Sequence, residues 1–311
     1  METYLSLVIC THNPRRDYLD KVLKALQAQT LPVKQWELLL IDNASDELLS
    51  SKIDLSWHPQ ARYIREEKLG LTPARLRGIK EAAGEILVFV DDDNILDDNY
   101  LEIALKISRN YPMIGAWGGQ IRPDFEELPP EWTKPFLPFL AIREFEQDKW
   151  SNLSPENETT PCGAGLCIRK VVAENYTELV SKDPRRADMD RKGNSLMCSG
   201  DIDLALTACD MGLGTGQFTS LNMTHLMPPN RLNEDYLLRM VEGSYYSGTI
   251  LNYLRGKHQS YSSWRTLNIY LLYLRMRYGS KKSRFYQASQ KGISLALKKI
   301  KNWQNQAAKN A

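Results

Sequence analysis

The run Ile86-Leu87-Val88-Phe89-Val90 followed at once by Asp91-Asp92-Asp93-Asn94 constrains this chain more than any other segment. Five consecutive apolar residues, two of them β-branched valines, suit a strand buried on both faces. Three adjacent carboxylates at its end repel one another unless a cation or strong donors compensate. An acidic turn before a helix starting near Asp97 is the simpler alternative, but a turn needs only one or two polar residues. Oxygen ligands in this density suit Mg²⁺ or Mn²⁺, which take a few carboxylates together with substrate phosphates.

The surrounding pattern alternates between two periods. Residues 4–10 read as a buried strand, and Tyr18, Leu19, Val22, Leu23 and Leu26 recur at helical spacing. Residues 36–41 and 61–64 read as two further strands. Thr72-Pro73 suggests a helix opened by a hydroxyl cap with proline at its first position, running to about Ala83 and stopped by Gly84. Strand and helix in succession predict an α/β domain with a mostly parallel sheet covered on both faces, and ligands beyond the carboxyl ends of the strands. Residues 122–161, rich in Pro, Trp, Phe and Glu, lack periodicity. Such a long irregular segment is functional or disordered, and Trp132, Phe136, Phe139 and Trp150 argue against disorder. Beyond Asn233 the pattern is helical.

Charge is unevenly laid out. The net charge is +2, yet residues 251–311 hold thirteen Lys or Arg and no Asp or Glu, leaving 27 basic against 38 acidic residues before them. Ile293, Leu297 and Ile300 share helical spacing among lysines, and Leu267, Tyr270, Leu271 and Leu274 form a similar face. Both fit either packing against the rest of the chain or docking on an anionic membrane surface. Cys10, Cys162, Cys167, Cys198 and Cys209 form no C-x-x-C pair, which disfavours a zinc site or a disulfide framework. No basic, apolar leader opens the sequence, and no window reaches the ~18 apolar residues of a membrane span. A cytoplasmic protein is expected, either free or peripheral at the inner face of the membrane.

Several segments together resemble family-2 glycosyltransferases of the GT-A fold, a Rossmann-like nucleotide-diphospho-sugar transferase architecture. Thr11-His12-Asn13 resembles the family's T-x-N, and Ile41-Asp42-Asn43-Ala44-Ser45 its V-D-N-[GA]-S. Gly70-Leu71-Thr72-Pro73-Ala74-Arg75-Leu76-Arg77-Gly78 resembles G-x-x-x-A-R-N-x-G, with Leu76 in place of Asn. Phe89-Val90-Asp91-Asp92-Asp93 is similar to the D-x-D segment. Pro161-Cys162-Gly163-Ala164-Gly165 resembles a glycine-rich segment, and Ser199-Gly200-Asp201-Ile202-Asp203-Leu204 resembles G-E-D-x-[DE]-L, with Gly200 where Glu is usual.

The resemblance implies a donor site of Thr11, Asn13, Asp42, Arg75, Asp91, Asp92 and Gly163, with Asp93 on Mn²⁺ or Mg²⁺ and Asp201 as general base. Read on its own, Asp42 can contact a nucleoside or close an Asx turn with Ser45. Arg75 can fork a phosphate or lie solvated at the surface. Asp203 favours a helix N-terminus. His225, in a segment resembling H-x-[IVM]-x-x-x-R-[LM], is either structural or a metal or pyrophosphate ligand; His12, His58 and His258 lack comparable company.

The implied domains are residues 1–230, with a donor half to about 120 and an acceptor half beyond it, then a basic helical region over 231–311. The implied reaction is inverting transfer from a nucleotide-diphospho-sugar, UDP by family frequency, to a saccharide or lipid-linked acceptor, with no nucleic-acid partner. The alternative is a non-catalytic nucleotide- or RNA-binding protein using the basic C-terminal helices, which leaves Asp91 to Asp93 unexplained.

Overall fold

The computed structural model describes residues 4–153, 158–193, 195–257 and 264–310, with the backbone alone over 264–279 and at 310. Strand β1 (Leu5–Thr11) leads into helix α1 (Arg16–Gln27), then β2 (Trp36–Asn43), β3 (Ala61–Glu66), α2 (Leu71–Glu81) and β4 (Ile86–Val90). Next come β5 (Asn94–Leu96), α3 (Tyr100–Asn110), β6 (Ile114–Phe125), β7 (Lys149–Ser151) and β8 (Cys167–Arg169). Helices α4 (Lys170–Lys182) and α5 (Gly200–Asp210) precede β9 (Gly214–Met227), α6 (Glu234–Leu254) and α7 (Trp264–Asn310).

One sheet runs in the order β3-β2-β1-β4-β8-β6-β9-β5, with β7 also on β9. The β3-β2-β1-β4 half is parallel throughout. The short β8 runs antiparallel to both β4 and β6, and β6 and β9 are again parallel. Side-chain alternation explains how both faces become covered. Leu5, Leu7 and Ile9 of β1 face one core with Leu19, Val22, Leu23 and Leu26 of α1. Val8 faces the other core, with Ala74 and Ile79 of α2 and Val172 and Tyr176 of α4. The expected mixed α/β fold with a mostly parallel sheet is the one observed.

Three local expectations need correction. Helix α2 begins at Leu71, after Gly70 at φ 138°, with no side-chain cap bond; Thr72 is inside the first turn and buried. Only glycine takes that backbone angle without strain, so Gly70 sets the entry to the helix. The carboxylates do not run into a helix at Asp97, because β5 intervenes and α3 starts at Tyr100. Within residues 122–161, β6 continues to Phe125 and a 3-10 helix spans Glu131–Leu140, where the rings of Trp132 and Phe136 meet at 6.4 Å.

The chain divides into two compact units, Met1–Ala187 with Gly200–Pro229, and Asp188–Ser199 with Asn230–Ala311. In the second unit α6 packs along α7. The buried face of α7 is Phe285, Ala288, Ser289, Gly292, Ala296 and Ile300, whereas Leu297 is exposed and Ile293 half-buried. Small residues let the helices approach: a methyl group on Gly292 would collide with the Glu242 carbonyl. A search for large apolar residues misses such a face. Leu267, Tyr270, Leu271 and Leu274 have side chains outside the described residues, as does His258. Among the described residues no helix is long and apolar enough to cross a membrane, and none of the five cysteines is in a disulfide.

Candidate active site

The ends of β1, β2 and β4 deliver the polar residues to one edge of the sheet. Two of the connecting loops hold non-glycine residues in the left-handed region, Asn13 at φ 50° and Ala44 at φ 53°. That conformation costs roughly 1 kcal/mol or more and persists where the surroundings enforce it. Here they do. Asn13 receives the Asp46 amide at 2.9 Å and its own amide donates to Ser45 Oγ at 3.0 Å, locking the first loop to the second. Asn43 extends the lattice by accepting from the Gly70 amide at 2.8 Å and donating to Lys68 O at 2.9 Å, so the turn before α2 is tied to β2.

Asp42 is buried and already engaged by the protein. Its Oδ1 accepts from the Ser45 amide at 3.1 Å, which is the Asx turn, and its Oδ2 accepts from Arg65 at 2.8 Å. Burial works to raise its pKa, but the hydrogen bonds from Ser45, Arg65 and the Leu49 amide outweigh it and hold Asp42 below the usual carboxylate value. Thr11 donates to Asp92, linking the ends of β1 and β4. His12 Nδ1 lies 2.8 Å from Asn43 O at the same edge, a placement its sequence surroundings gave no sign of.

Asp93 and His225, 132 positions apart, are brought together by strand pairing. Asn94 opposes His225 in the antiparallel β5–β9 ladder, and the Leu226 amide donates to Asp93 O at 2.8 Å. His225 Nε2 then lies 3.4 Å from Asp93 Oδ2, with both residues buried. Asn94, fully buried, aims its side chain at Asp93 Oδ1 at 2.9 Å. Among the described residues no group of three or more His, Cys, Asp or Glu side chains forms a metal cluster. Side by side, Asp93 and His225 would offer a divalent cation one carboxylate and one imidazole nitrogen.

The Pro161–Gly165 stretch forms the third wall. The Gly163 amide donates to Asp201 Oδ2 at 2.5 Å, and the Ile202 amide reaches Asp201 Oδ1 at 2.8 Å. A methyl group on Gly163 would run into Arg75 Nη2 and lie 3.0 Å from Asp201 Oδ2. Arg75 is therefore not a solvated surface residue: it is 4% exposed and shares Gly163 with Asp201. Burial pushes the neighbouring Cys162 thiol up to about 11, with the positive charge of Arg143 working against it. Gly165, at φ 71°, leaves room for Tyr100, whose hydroxyl donates to its carbonyl at 2.6 Å.

Asp203 has a different position. Fully buried, it takes two bonds from Arg186 Nη1 at 2.7 and 2.6 Å. It anchors the first turn of α5, the helix that carries Asp201. The sequence marked Asp203 as a helix-terminus residue, but Arg186, in a 3-10 helix over Pro184–Met189, gave no signal.

A parallel half of the sheet, an acidic strand end and a second carboxylate held by a glycine loop are features of the GT-A fold class. The solved structure of Staphylococcus aureus TarS, residues 1–349, in complex with UDP has the same fold, at a TM-score of 0.52 and 15% identity over 94% of this chain and 83% of that one. The model for glycosyl transferase family 2 matches residues 6–176, and the chain belongs to that family. Glycosyltransferase AglE of Haloferax volcanii is 28% identical over 212 residues, 67% of this chain and 62% of the relative. Glucosyl-dolichyl phosphate glucuronosyltransferase of the same organism is 22% identical over 130 residues, 41% of each. The chain thus spans less than two thirds of either curated relative.

Proposed function

We propose that this protein transfers a sugar from a nucleotide-diphospho-sugar, with UDP as the nucleotide, to a hydroxyl of a saccharide or lipid-linked acceptor. The observation that carries the reading is the meeting of Arg75 and Asp201 at Gly163, together with the buried Asp93–His225 pair that β5 and β9 bring together. UDP is supported by the fold's likeness to TarS, which was solved with that nucleotide. A lipid-linked acceptor is supported by the relative named for acting on a dolichyl phosphate.

In this reading the loops after β1 and β2 hold the nucleoside, with Thr11, Asn13 and Asp42 at its edge and Asp91 and Asp92 toward the ribose. Asp42 contributes by fixing the loop through Ser45 and Arg65, and its remaining lone pairs face the nucleoside. Asp93 and His225 would hold Mn²⁺ or Mg²⁺, which supplies charge neutralisation on the diphosphate leaving group. Asp201, oriented by two backbone amides, takes the proton from the acceptor hydroxyl as the new bond forms on the face opposite the departing diphosphate, so the reaction inverts. Gly163 keeps this corner open for the sugar, and Arg75 places a positive charge at the same corner.

A thermal-shift panel of UDP, GDP, dTDP and CMP, each with and without Mn²⁺, tests the donor side. A ligand present at a hundred times its dissociation constant adds about 2.7 kcal/mol of stability, enough to see. UDP should stabilise in a Mn²⁺-dependent way, and Asp93→Ala should remove that dependence. Asp201→Asn should keep UDP affinity and lower turnover of UDP-sugars ~10²-fold or more. Unchanged turnover would move the base elsewhere, and absence of any nucleotide shift would favour a non-catalytic role.

A further inference from the structure

In the unit formed by Asp188–Ser199 and Asn230–Ala311, a cavity of about 330 Å³ lies between residues 195–197, α6 and α7. Its size is at the lower end of ordinary ligand pockets. Two glycines set its walls. A methyl on Gly243 would come within 2.7 Å of Leu196 O, and one on Gly292 within 3.0 Å of the Tyr246 amide. Side chains at either position would push the three segments apart.

The lining divides by chemistry. Leu196, Met197 and Tyr246 are partly buried and largely apolar, while Arg239, Lys291 and Leu295 are exposed. Leu295 is 44% exposed, so hydrocarbon meets water at the mouth. Lys291 Nζ pairs with Glu242 at 2.8 Å, but the two side chains are 64% and 27% exposed, and such pairs are held weakly. Burial, with Asp188 adding to it, raises the Tyr246 hydroxyl above its ordinary value, so it remains a proton donor at neutral pH.

The lining carries two cations, Arg239 and Lys291, against one carboxylate, Glu242, which favours an anion, while its apolar part favours hydrocarbon. We propose that this cavity binds an amphiphilic phosphate monoester, such as an isoprenyl phosphate. Arg239 and Lys291 take the phosphate, and Leu196, Met197, Tyr246 and Leu295 line the first carbons of the chain. Its connection to a lipid-linked acceptor rests on the function proposed above; binding itself does not.

The test is calorimetric titration of the full-length protein with farnesyl phosphate below its micelle concentration, with farnesol and inorganic phosphate as separate arms. Farnesyl phosphate should bind at least ~10-fold tighter than either, since only it engages both halves of the lining. Lys291→Gln and Arg239→Gln should each weaken it about fivefold, the size of one charge contact in high dielectric. Glu242→Gln should tighten it by a similar factor, because it releases Lys291. Leu295→Asn should weaken farnesyl phosphate and leave inorganic phosphate unchanged.

Circular dichroism confirms that each variant is folded. Equal binding of farnesol, equal binding of inorganic phosphate, no binding of farnesyl phosphate, or indifference to all three charge changes would overturn the proposal. UDP titrated into the same samples is read separately: its loss alone counts against the donor reading, and loss of farnesyl phosphate alone counts against this site.

Discussion

Replacing Arg186 by methionine should be the most damaging single change to the first unit away from its candidate active site. Asp203 is fully buried and the Arg186 side chain is 11% exposed, so the pair is shielded from water. Removing the guanidinium takes away two short bonds from a carboxylate at 0% exposure. Breaking a buried pair from one side costs about 3–5 kcal/mol, much of it the penalty of the orphaned charge. The double variant Arg186→Met with Asp203→Leu should recover most of that loss, since no charge is left behind. Urea unfolding followed by tryptophan fluorescence reads both, with Trp36 and Trp117 buried in this unit. A loss below about 1 kcal/mol in Arg186→Met, or strict additivity in the double variant, would show that the pair is not what anchors α5.

Gly163→Ala should cost about 1–3 kcal/mol by overpacking against Arg75 and Asp201, and should lower turnover of UDP-sugars; unchanged stability and rate together would mean that the corner is loose. His58 gives a pH prediction. Burial lowers its pKa from 6.5 to about 4, its Nδ1 accepts from the Gln60 amide at 3.2 Å, and its Nε2 meets no hydrogen-bond partner among the described residues. The unfolded chain therefore binds a proton that the folded one refuses. Stability falls as pH drops through about 6.5 and levels off below about 4, by about 3 kcal/mol in all. Urea midpoints across that range should lose this component in His58→Phe; an unchanged pH slope would assign it to other groups.

Where residue type and period agree, the fold could be read directly. Tyr18, Leu19, Val22, Leu23 and Leu26 are the buried face of α1, and the apolar run 86–90 is the buried strand β4. Strand ends were legible too, because three carboxylates placed directly after so apolar a run have few other uses. Partnerships were less accessible. Nothing local tells that Arg186 serves Asp203, that Arg65 serves Asp42, or that Arg75 is interior, since each depends on contacts between distant segments. The face of α7 was misread for a different reason: Ala288, Gly292 and Ala296 bury themselves by closeness, whereas hydropathy patterns count bulk.

The pairing of β5 with β9 makes the Asp93–His225 site a matter of parity. In a ladder, successive side chains point to opposite faces, so a slip of one residue would turn His225 away from Asp93, while a slip of two would keep the face and lose the distance. The segment between the two strands is free of that restriction at its loops. Insertions between Glu127 and Pro130, outside every strand and helix, can lengthen the chain without moving either end of the pair, because the sheet and not the intervening chain measures their separation. That loop can then diverge widely around an Asp93–His225 pair of fixed geometry, whereas a single-residue insertion within 94–96 or 223–227 would separate the two.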